Sequence, residues 1–267
     1  MQYEFGFIGV GNMGGALAEQ VSKALPKGKV AVCDLDDKKT AAFRENYGDA
    51  VLSLEAIPSS CRFLVLGVKP QVLPGLLDKI ASLVPPSTVV VSMAAGISIA
   101  AIEKTFAKNP IIRIMPNTPC AVAAGVNAYA CGKTVGRADE ETFASLVSPC
   151  GTPVRVEEAQ MNAVVGVSGS SPAYYYMMID AVAKAGVRAG LKRDDAVRMA
   201  AQAMLGSAKM VLESGRHPAQ LRDDVCSPGG TTIEAVCALD MSGFEGNVMD
   251  AVQKCIDRSR EMSRQIT

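Results

Sequence analysis

The stretch Phe5-Gly6-Phe7-Ile8-Gly9-Val10-Gly11-Asn12-Met13-Gly14 decides the fold. An apolar, β-rich run passes into a glycine-spaced turn, G-x-G-x-x-G, and then into a segment with helical periodicity. In such a turn Gly9 permits the sharp bend, Gly11 lets the backbone approach a pyrophosphate, and Gly14 lets the helix pack on the strand. We therefore predict a dinucleotide site contacted by Gly9, Gly11, Asn12, Met13 and Gly14; the alternative is a glycine turn without a ligand.

An acidic residue further along supports the dinucleotide interpretation. The second β-rich run ends in Asp34, which lies 20 residues after Gly14. An acid at that place accepts hydrogen bonds from the adenosine ribose of NAD and repels the 2′-phosphate of NADP. Lys38 and Lys39 follow, within reach of such a phosphate. Asp34 favours NAD, but the sequence leaves NADH and NADPH both open.

Short β-rich runs alternate with amphipathic segments through the first half of the chain. The predicted strands are Glu4–Val10, Lys29–Cys33, Arg62–Val68, Ser87–Met93, Pro110–Met115, Val126–Ala130 and Pro153–Val156. The predicted helices between them include Met13–Leu25, Lys38–Asn46, Gln71–Leu83 and Ile99–Phe106. Apolar strands separated by helices are typical of a parallel, doubly wound α/β sheet of the Rossmann type.

Three further polar or glycine-containing loops begin where a predicted strand ends. They contain Val68-Lys69-Pro70, Ala95-Gly96 and Asn117. In open α/β sheets the ligand crevice lies outside the carboxyl ends of the strands. We therefore predict that these residues contact the cofactor; a solvated loop lysine at Lys69 and a plain turn at Asn117 are the alternatives.

After about Glu157 the β-rich runs stop and only helical patterns follow. They are interrupted at Gly190, Gly215, Pro228-Gly229-Gly230 and Gly243. We predict a dinucleotide-binding Rossmann domain over residues 1–160 and an all-α domain over residues 161–267. The second domain is rich in alanine and methionine, and a bundle of about 100 residues has difficulty burying so much apolar surface alone. Dimerisation through it is expected.

The composition restricts the partners. The chain has 267 residues, with 27 basic and 27 acidic side chains, so it lacks the basic field that nucleic acid requires. Residues 159–179 are uncharged and long enough to span a membrane, but they are too polar for hydrocarbon. The first residues do not show a secretory signal pattern. We expect a small-molecule substrate, with no nucleic acid and no membrane.

The cysteines and the histidine do not indicate a metal site. The eight cysteines form no C-x-x-C pair, and the single histidine, His217, cannot complete a Cys/His cluster. Scattered thiols of this kind are typical small fillers in a reducing compartment, so we expect a cytoplasmic protein. His217 precedes Pro218 at a predicted helix start, which favours a structural role.

A second glycine-rich break interrupts the helical half. It is Ser227-Pro228-Gly229-Gly230-Thr231-Thr232, followed by a new helical pattern. Free amides at a helix start, with small residues that allow close approach, suit an anion. Threonine there either caps the helix or presents its hydroxyl to a ligand. An ordinary capped turn between helices is the alternative.

Taken with these motifs, the chain resembles the pyrroline-5-carboxylate reductases, which make proline from a cyclic imine. The resemblance covers nearly the whole length and rests on Phe7–Gly14, Val68–Pro70, Arg113–Pro119, Gly169–Tyr174 and Ser227–Thr232. It implies hydride transfer from NAD(P)H to the imine carbon, the last step of proline biosynthesis. It also implies a helical domain that forms homodimers, which often assemble further.

The resemblance also assigns residues. It implies that Ser227, Gly229, Gly230, Thr231 and Thr232 bind the substrate and that backbone amides of this stretch hold its carboxylate. Thr232 is the candidate catalytic residue, as hydrogen-bond donor or acceptor to the ring nitrogen. A protonated imine is already electrophilic, so no strong general acid is required.

Two positions depart from the family pattern. The family commonly prefers NADPH and has small or basic residues after the second strand, whereas this chain has Asp34. The usual Gly-Ser-Gly-Pro is Gly169-Ser170-Ser171-Pro172 here.

Two other functions are alternatives to the reductase. A β-hydroxyacid-type dehydrogenase needs a lysine early on the first long helix of the second domain, and none occurs before Lys184. A non-catalytic nucleotide-binding regulator would have no use for the Ser227–Thr232 stretch, although the fold alone does not exclude it.

Overall fold

The computed structural model describes residues 2–266. The strands are β1 (Tyr3–Ile8), β2 (Val30–Cys33), β3 (Ala50–Val51), β4 (Cys61–Leu66), β5 (Val89–Ser92), β6 (Ile111–Met115), β7 (Gly125–Cys131) and β8 (Gly151–Arg155). The helices are α1 (Asn12–Ala24), α2 (Asp37–Tyr47), α3 (Ile57–Ser60), α4 (Leu73–Ile80), α5 (Ile99–Glu103), α6 (Arg137–Val147), α7 (Met161–Val164), α8 (Ser171–Arg188), α9 (Arg193–Ser214), α10 (Pro218–Val225), α11 (Thr231–Met241) and α12 (Phe244–Ile266).

The chain divides into two compact units. One contains the residues up to Ser170 together with those from Cys255 onward, and the other contains Ser171–Lys254. All eight strands belong to the first unit, and the second is helical. The functional domain boundary between residues 160 and 161 stays a prediction.

The strands form one sheet in the order β3-β2-β1-β4-β5-β6-β7-β8. Strand β1 pairs in parallel with β2 on one side and with β4 on the other. The chain therefore reverses its winding direction at β1, which makes the crevice beyond Ile8 the place where an α/β sheet binds its ligand. The predicted Rossmann-type α/β unit followed by a helical unit is confirmed.

The sheet differs from the predicted all-parallel form at one pair. Strand β7 runs antiparallel to β6, while β8 is again parallel to β7. The connection from Met115 to Gly125 holds only a short 3₁₀ helix, Thr118–Val122, which is too short for a crossover back to the start of the sheet. The two-residue strand β3 was not predicted, because so short a run carries no periodicity of its own.

The core lies on both faces of the sheet. Phe5 and Phe63 stack with ring centroids 5.3 Å apart on one face, and both are fully buried. Leu64 and Leu66, which alternate with Phe63 along β4, are fully buried on the other face. Each such side chain contributes about 1.5–3 kcal/mol through its burial. This explains why the strands read as continuous apolar runs.

The helical unit buries few of its apolar side chains within a single chain. Its small core consists of Ala183, Ala196 and Ala200, with Ile179 packed against them. Large apolar side chains remain exposed on its helices, among them Tyr176, Met177, Met199, Leu205, Met210, Leu212, Met241 and Met249. Among residues 2–266, none of the helices has the length and apolar character that crossing a membrane requires.

The packing of α1 on the sheet depends on Gly14. A Cβ at this position would lie 2.2 Å from the carbonyl oxygen of Gly9, which is backbone and cannot yield cheaply. We expect Gly14→Ala to lower the free energy of unfolding by about 1–3 kcal/mol through overpacking. Gly75→Ala is the matched control, because Gly75 lies in α4 and its Cβ would meet nothing within 4 Å.

The two variants are compared by urea unfolding without cofactor. Gly75→Ala should gain about 0.5–1 kcal/mol, since alanine loses less backbone entropy than glycine in a helix. Equal stability of the two variants would show that α1 does not approach β1 as closely as described.

Candidate functional site

Three backbone segments converge beyond the end of β1. The carbonyl of Gly9 lies so close to Gly14 and Gly67 that a Cβ on either would come within 2.2 and 2.4 Å of its oxygen. Gly9 itself has φ +92°, which glycine adopts readily. The positive φ at Gly9 and the close backbone contact at Gly14 therefore explain why glycine occupies these two positions. Gly67 was missed, although its place directly after β4, the neighbour of β1, was a signal.

The start of α1 is open for an anion. Gly11 is its N-cap, makes no side-chain capping bond, and would place a Cβ in empty space. Asn12 and Met13 form the exposed and half-exposed first residues of the helix. A phosphate group can therefore approach the first amides of the helix without displacing a side chain. This geometry fits the pyrophosphate of a dinucleotide.

Asp34 is fixed at the end of β2 by backbone amides. Val10 N donates to Oδ2 at 2.8 Å, and Asp36 N donates to Oδ1 at 3.0 Å. Lys39 Nζ lies 4.0 Å from Oδ1 and 3.7 Å from a carboxylate oxygen of Asp36. The Asp34 carboxylate is therefore held in one orientation next to the glycine turn, and Lys39 is drawn towards two acids.

An apolar cavity of about 340 Å³ adjoins Asp34. Its volume falls in the range of small-ligand sites. Gly9, Asp34 and Val68, all predicted from the sequence, line it together. Its other lining residues are Ile8, Cys33, Leu35, Leu54, Val72, Gly75, Leu76 and Lys79. These residues were not predicted from the sequence. Most of them are apolar, and an apolar residue cannot be told from a core residue until the fold places it at a cavity. The cavity fits the adenosine half of a dinucleotide.

Lys69 and Pro70 lie in the loop before α4. The carbonyl of Lys69 accepts from Val72 N at 2.9 Å and from Leu73 N at 3.2 Å, so its backbone caps the start of the helix. Its side chain is exposed. Contact between this side chain or Pro70 and a cofactor stays a prediction.

The loop after β5 contains Ala95 and Gly96. Gly96 is buried and has φ +81°, and Ala95 is half-buried. Ser92 Oγ accepts from Ala94 N at 3.3 Å, which turns the chain at the end of the strand. The loop is thus shaped by short-range contacts at the carboxyl edge of the sheet.

Asn117 uses its side chain within the protein. Its Oδ1 accepts from Val126 N at 2.9 Å, and its Nδ2 donates to the carbonyl of Ser168 at 3.0 Å. Ser168 belongs to a π-helical turn, Val165–Gly169, between α7 and α8. Asn117 is almost fully buried, and these two bonds use one of the two side-chain amide hydrogens and one of the two lone pairs of Oδ1. Its predicted role in cofactor binding stays a prediction.

The Ser227–Thr232 stretch forms a tight turn in the helical unit. Gly230 N donates to the Ser227 carbonyl at 3.0 Å, and Gly229 has φ +66°. A Cβ at Gly230 would lie 2.3 Å from Ser227 Oγ and 3.0 Å from the Ser227 carbonyl oxygen, so a larger residue would require the Ser227 side chain or the turn to shift. Gly230 is the N-cap of α11 and supplies no capping side chain. The helix that follows, starting with exposed Thr231 and half-buried Thr232, therefore has free amides at its start.

His217 is the N-cap of α10. Its Nδ1 accepts from Ala219 N at 3.2 Å, and Pro218 follows as the first helical residue. This agrees with the structural role predicted for it. In the part of the chain that the structure describes, no group of three or more His, Cys, Asp or Glu side chains is placed to hold a metal ion.

Comparison with known proteins identifies the family. The chain is 39% identical to the pyrroline-5-carboxylate reductase of Escherichia coli, over 99% of this chain and 100% of the relative. The chain belongs to the pyrroline-5-carboxylate reductase family. It is also 38% identical to the pyrroline-5-carboxylate reductase of Pisum sativum, over 98% of this chain and 96% of that protein.

Family models and solved structures agree with this assignment. Residues 158–262 match the model for pyrroline-5-carboxylate reductase dimerisation, and residues 4–96 match that for coenzyme F420-dependent NADP oxidoreductase. The pyrroline carboxylate reductase of Plasmodium falciparum, solved with NADP bound, superimposes with a TM-score of 0.87 at 30% identity, covering 98% of this chain and 99% of that one. A pyrroline-5-carboxylate reductase from Coxiella burnetii gives 0.91 at 28% identity, with the same coverage.

The predicted family is therefore confirmed. So is the prediction of an NAD(P)H-dependent oxidoreductase with a C-terminal dimerisation domain. As a reductase of this family, the chain acts in the last step of proline biosynthesis.

Gly11 is a position where a substitution should change cofactor binding and leave the stability of the protein nearly unchanged. We expect Gly11→Ala to weaken cofactor binding about tenfold or more, because its methyl group enters the space proposed for the pyrophosphate. The free energy of unfolding should change by less than about 1 kcal/mol, since that methyl group meets no protein atom within 4 Å. Fluorescence titration with NADH and NADPH, alongside urea unfolding, measures both. Unchanged binding would remove the start of α1 from the site.

Proposed function

We propose that this chain reduces 1-pyrroline-5-carboxylate to L-proline, with the turn before α11 holding the substrate carboxylate. The observation that carries the proposal is the uncapped helix start at Gly230. Its first amides have no capping side chain, and glycine at position 230 adds no side chain that would cover them. A carboxylate is the anion that such a site suits when the substrate is an imino acid. Ser227, Gly229, Gly230, Thr231 and Thr232 are the proposed contacts.

The cofactor is proposed to bind along the carboxyl edge of the sheet. Its pyrophosphate lies at the start of α1, near Gly11, and its adenosine occupies the cavity beside Asp34 and Val68. When bound, NAD(P)H supplies the hydride that the imine carbon accepts. The loop with Ala95 and Gly96, beyond β5, is placed to support the other half of the cofactor.

Thr232 is proposed as the catalytic residue. Its hydroxyl, at the start of α11, forms a hydrogen bond with the ring nitrogen and so fixes the orientation of the C=N bond. A protonated imine is electrophilic without a strong general acid, which suits a chain whose single histidine caps a helix. Most of the rate enhancement then comes from orienting the two reactants away from water.

The helical unit is proposed to join two copies of the chain into a homodimer. The apolar side chains exposed on α8, α9 and α12 support this, since a face of this kind is seldom left in water. The balanced net charge supports a protein without a nucleic-acid partner. We further propose a cytoplasmic location, which suits the eight free thiols.

The decisive experiment is turnover by the purified chain. Loss of nicotinamide absorbance is followed with pyrroline-5-carboxylate, using NADH and NADPH in parallel. We expect turnover with both cofactors and a higher kcat/KM with NADH, because the fixed Asp34 carboxylate repels a 2′-phosphate. Cofactor binding without turnover would contradict the proposal and indicate a nucleotide-binding regulator.

Asp34→Ser tests the origin of the cofactor preference. Removing the charge should lower the ratio of NADH to NADPH efficiency by about 10- to 100-fold, the effect of hydrogen bonds to a charged group. Asp37→Ser is a suitable control, because Asp37 is an exposed acid at the start of α2 without a contact to the glycine turn. The same ratio in both variants would show that Asp34 does not select the cofactor.

Thr232→Ala tests the catalytic assignment. We expect kcat/KM to fall about 10- to 100-fold, which corresponds to one or two hydrogen bonds lost from the transition state. Thr232→Ser keeps the hydroxyl and should retain most of the activity. If Thr232→Ala matches the unaltered enzyme, the residue has no part in the mechanism.

A further inference from the structure

Arg113 and Glu158, two charged side chains without a role in the proposed reaction, lie next to the loop 93–98, which we call the cofactor loop. Glu158 Oε1 accepts a hydrogen bond from the backbone N of Ile99 at 2.6 Å. The same oxygen lies 3.4 Å from Arg113 Nη1. One carboxylate oxygen thus contacts both the middle of β6 and the first residue of α5, from which Glu158 is 59 positions away in sequence.

Ile99 connects this contact with the cofactor loop. It directly follows the segment Met93–Ser98, which contains Ala95 and Gly96. Ile99 is buried, so its N–H needs a partner within the protein, and the acceptor is Glu158. Directly before Ile99, Ser98 caps the same end of α5 by accepting from Ala101 N at 3.1 Å. The carboxylate therefore sets where the loop ends and the helix begins.

Glu158 is itself held in place. It opens the 3₁₀ helix Glu158–Gln160, whose start is closed by reciprocal bonds between Glu157 and Gln160. Glu157 N donates to the Gln160 side chain at 3.0 Å. The carboxylate is only one-third exposed. A rigid base for this side chain is what a positioning contact requires.

Burial of the charged Arg113 side chain costs free energy of solvation. This side chain is 7% exposed, and its Nε has no hydrogen-bond partner among the described residues. Burial lowers the pKa of its guanidinium, and Glu158 opposes that effect. A buried ion pair of this kind is seldom worth more to stability than an apolar side chain of the same size. The arginine therefore needs another reason, and its contact with Glu158 supplies one.

The pair and the loop also share a cavity. Gly96, Ser98, Arg113 and Glu158 all line one space of about 620 Å³ in the sheet-containing unit. A displacement of Glu158 would therefore change the surroundings of Gly96 and Ser98 directly.

We propose that Arg113 and Glu158 are positioning residues for the cofactor. Arg113 holds the Glu158 carboxylate, Glu158 holds the amide of Ile99, and the loop then presents Ala95 and Gly96 in a single conformation. This inference rests on the proposed function only in taking those two loop residues as cofactor contacts. Neither charged group touches the reacting atoms.

Cofactor titration of the full-length protein tests the inference. Glu158→Ala removes both contacts and should raise the Kd for the preferred cofactor about tenfold. Glu158→Gln keeps an oxygen for Ile99 N–H and should raise it only about two- to threefold. Arg113→Met should fall between the two. The KM for the imine should change less than about twofold, because the substrate carboxylate is held elsewhere.

A double variant shows whether the two residues act as one unit. Arg113→Met combined with Glu158→Ala should bind the cofactor about as well as Glu158→Ala alone, since both act through one oxygen. The matched control is the exposed pair Arg137 and Glu141, joined at 2.7 Å on α6. Arg137→Met and Glu141→Ala should leave the Kd unchanged.

Specific results would overturn the inference. An unchanged Kd in Glu158→Ala, with lower unfolding stability, would make the pair purely structural. Effects that multiply in the double variant would mean that the two residues act independently. If Glu158→Ala does not fold, an unchanged Kd in both Glu158→Gln and Arg113→Met overturns it instead. Because titration needs no turnover, failure of the reductase reaction in the unaltered protein would be seen separately.

Discussion

The contact on which the rest of the structure depends is the approach of α1 and the end of β4 to the carbonyl of Gly9. Side chains at Gly14 or Gly67 would separate these segments, because each Cβ would overlap that oxygen. The close approach brings the start of α1 directly beyond β1. It also places Val10 N where it donates to Asp34. One backbone constraint therefore sets both the open start of α1 at Gly11 and the orientation of the Asp34 carboxylate.

Electrostatics at the crevice follow from that arrangement. Asp34 accepts hydrogen bonds from two backbone amides, so its carboxylate is fixed in orientation. Lys39, which could otherwise neutralise a 2′-phosphate, lies near Asp34 and Asp36 instead. The family resemblance alone favoured NADPH, whereas the local geometry favours NADH. In the proposed binding mode Asp34 faces the adenosine ribose, so we expect it to outweigh the family preference.

Much of the fold, and the grouping of some candidate site residues, could be predicted from the sequence. Each of the seven predicted strands exists, and the glycine turn, Asp34 and Val68 lie around one crevice. Local patterns carry such information, since strands and turns depend on neighbouring residues. The direction of β7 and the Glu158–Ile99 contact could not be predicted. Each depends on which distant segments become neighbours, and one sequence without an alignment does not record that.

The two glycine-rich stretches share one physical feature, an uncapped helix start, and we propose that it binds a different anion at each place. In both, a glycine is the N-cap of a helix and supplies no capping side chain. Serine or threonine there would occupy an amide that a ligand needs, although it would stabilise the helix by a few tenths of a kcal/mol over glycine. At Gly11 the free space admits a pyrophosphate. At Gly230, where Ser227 Oγ lies close to the turn, the proposed ligand is the substrate carboxylate. The small loss of helix stability that glycine causes at both places is thus consistent with a role in anion binding.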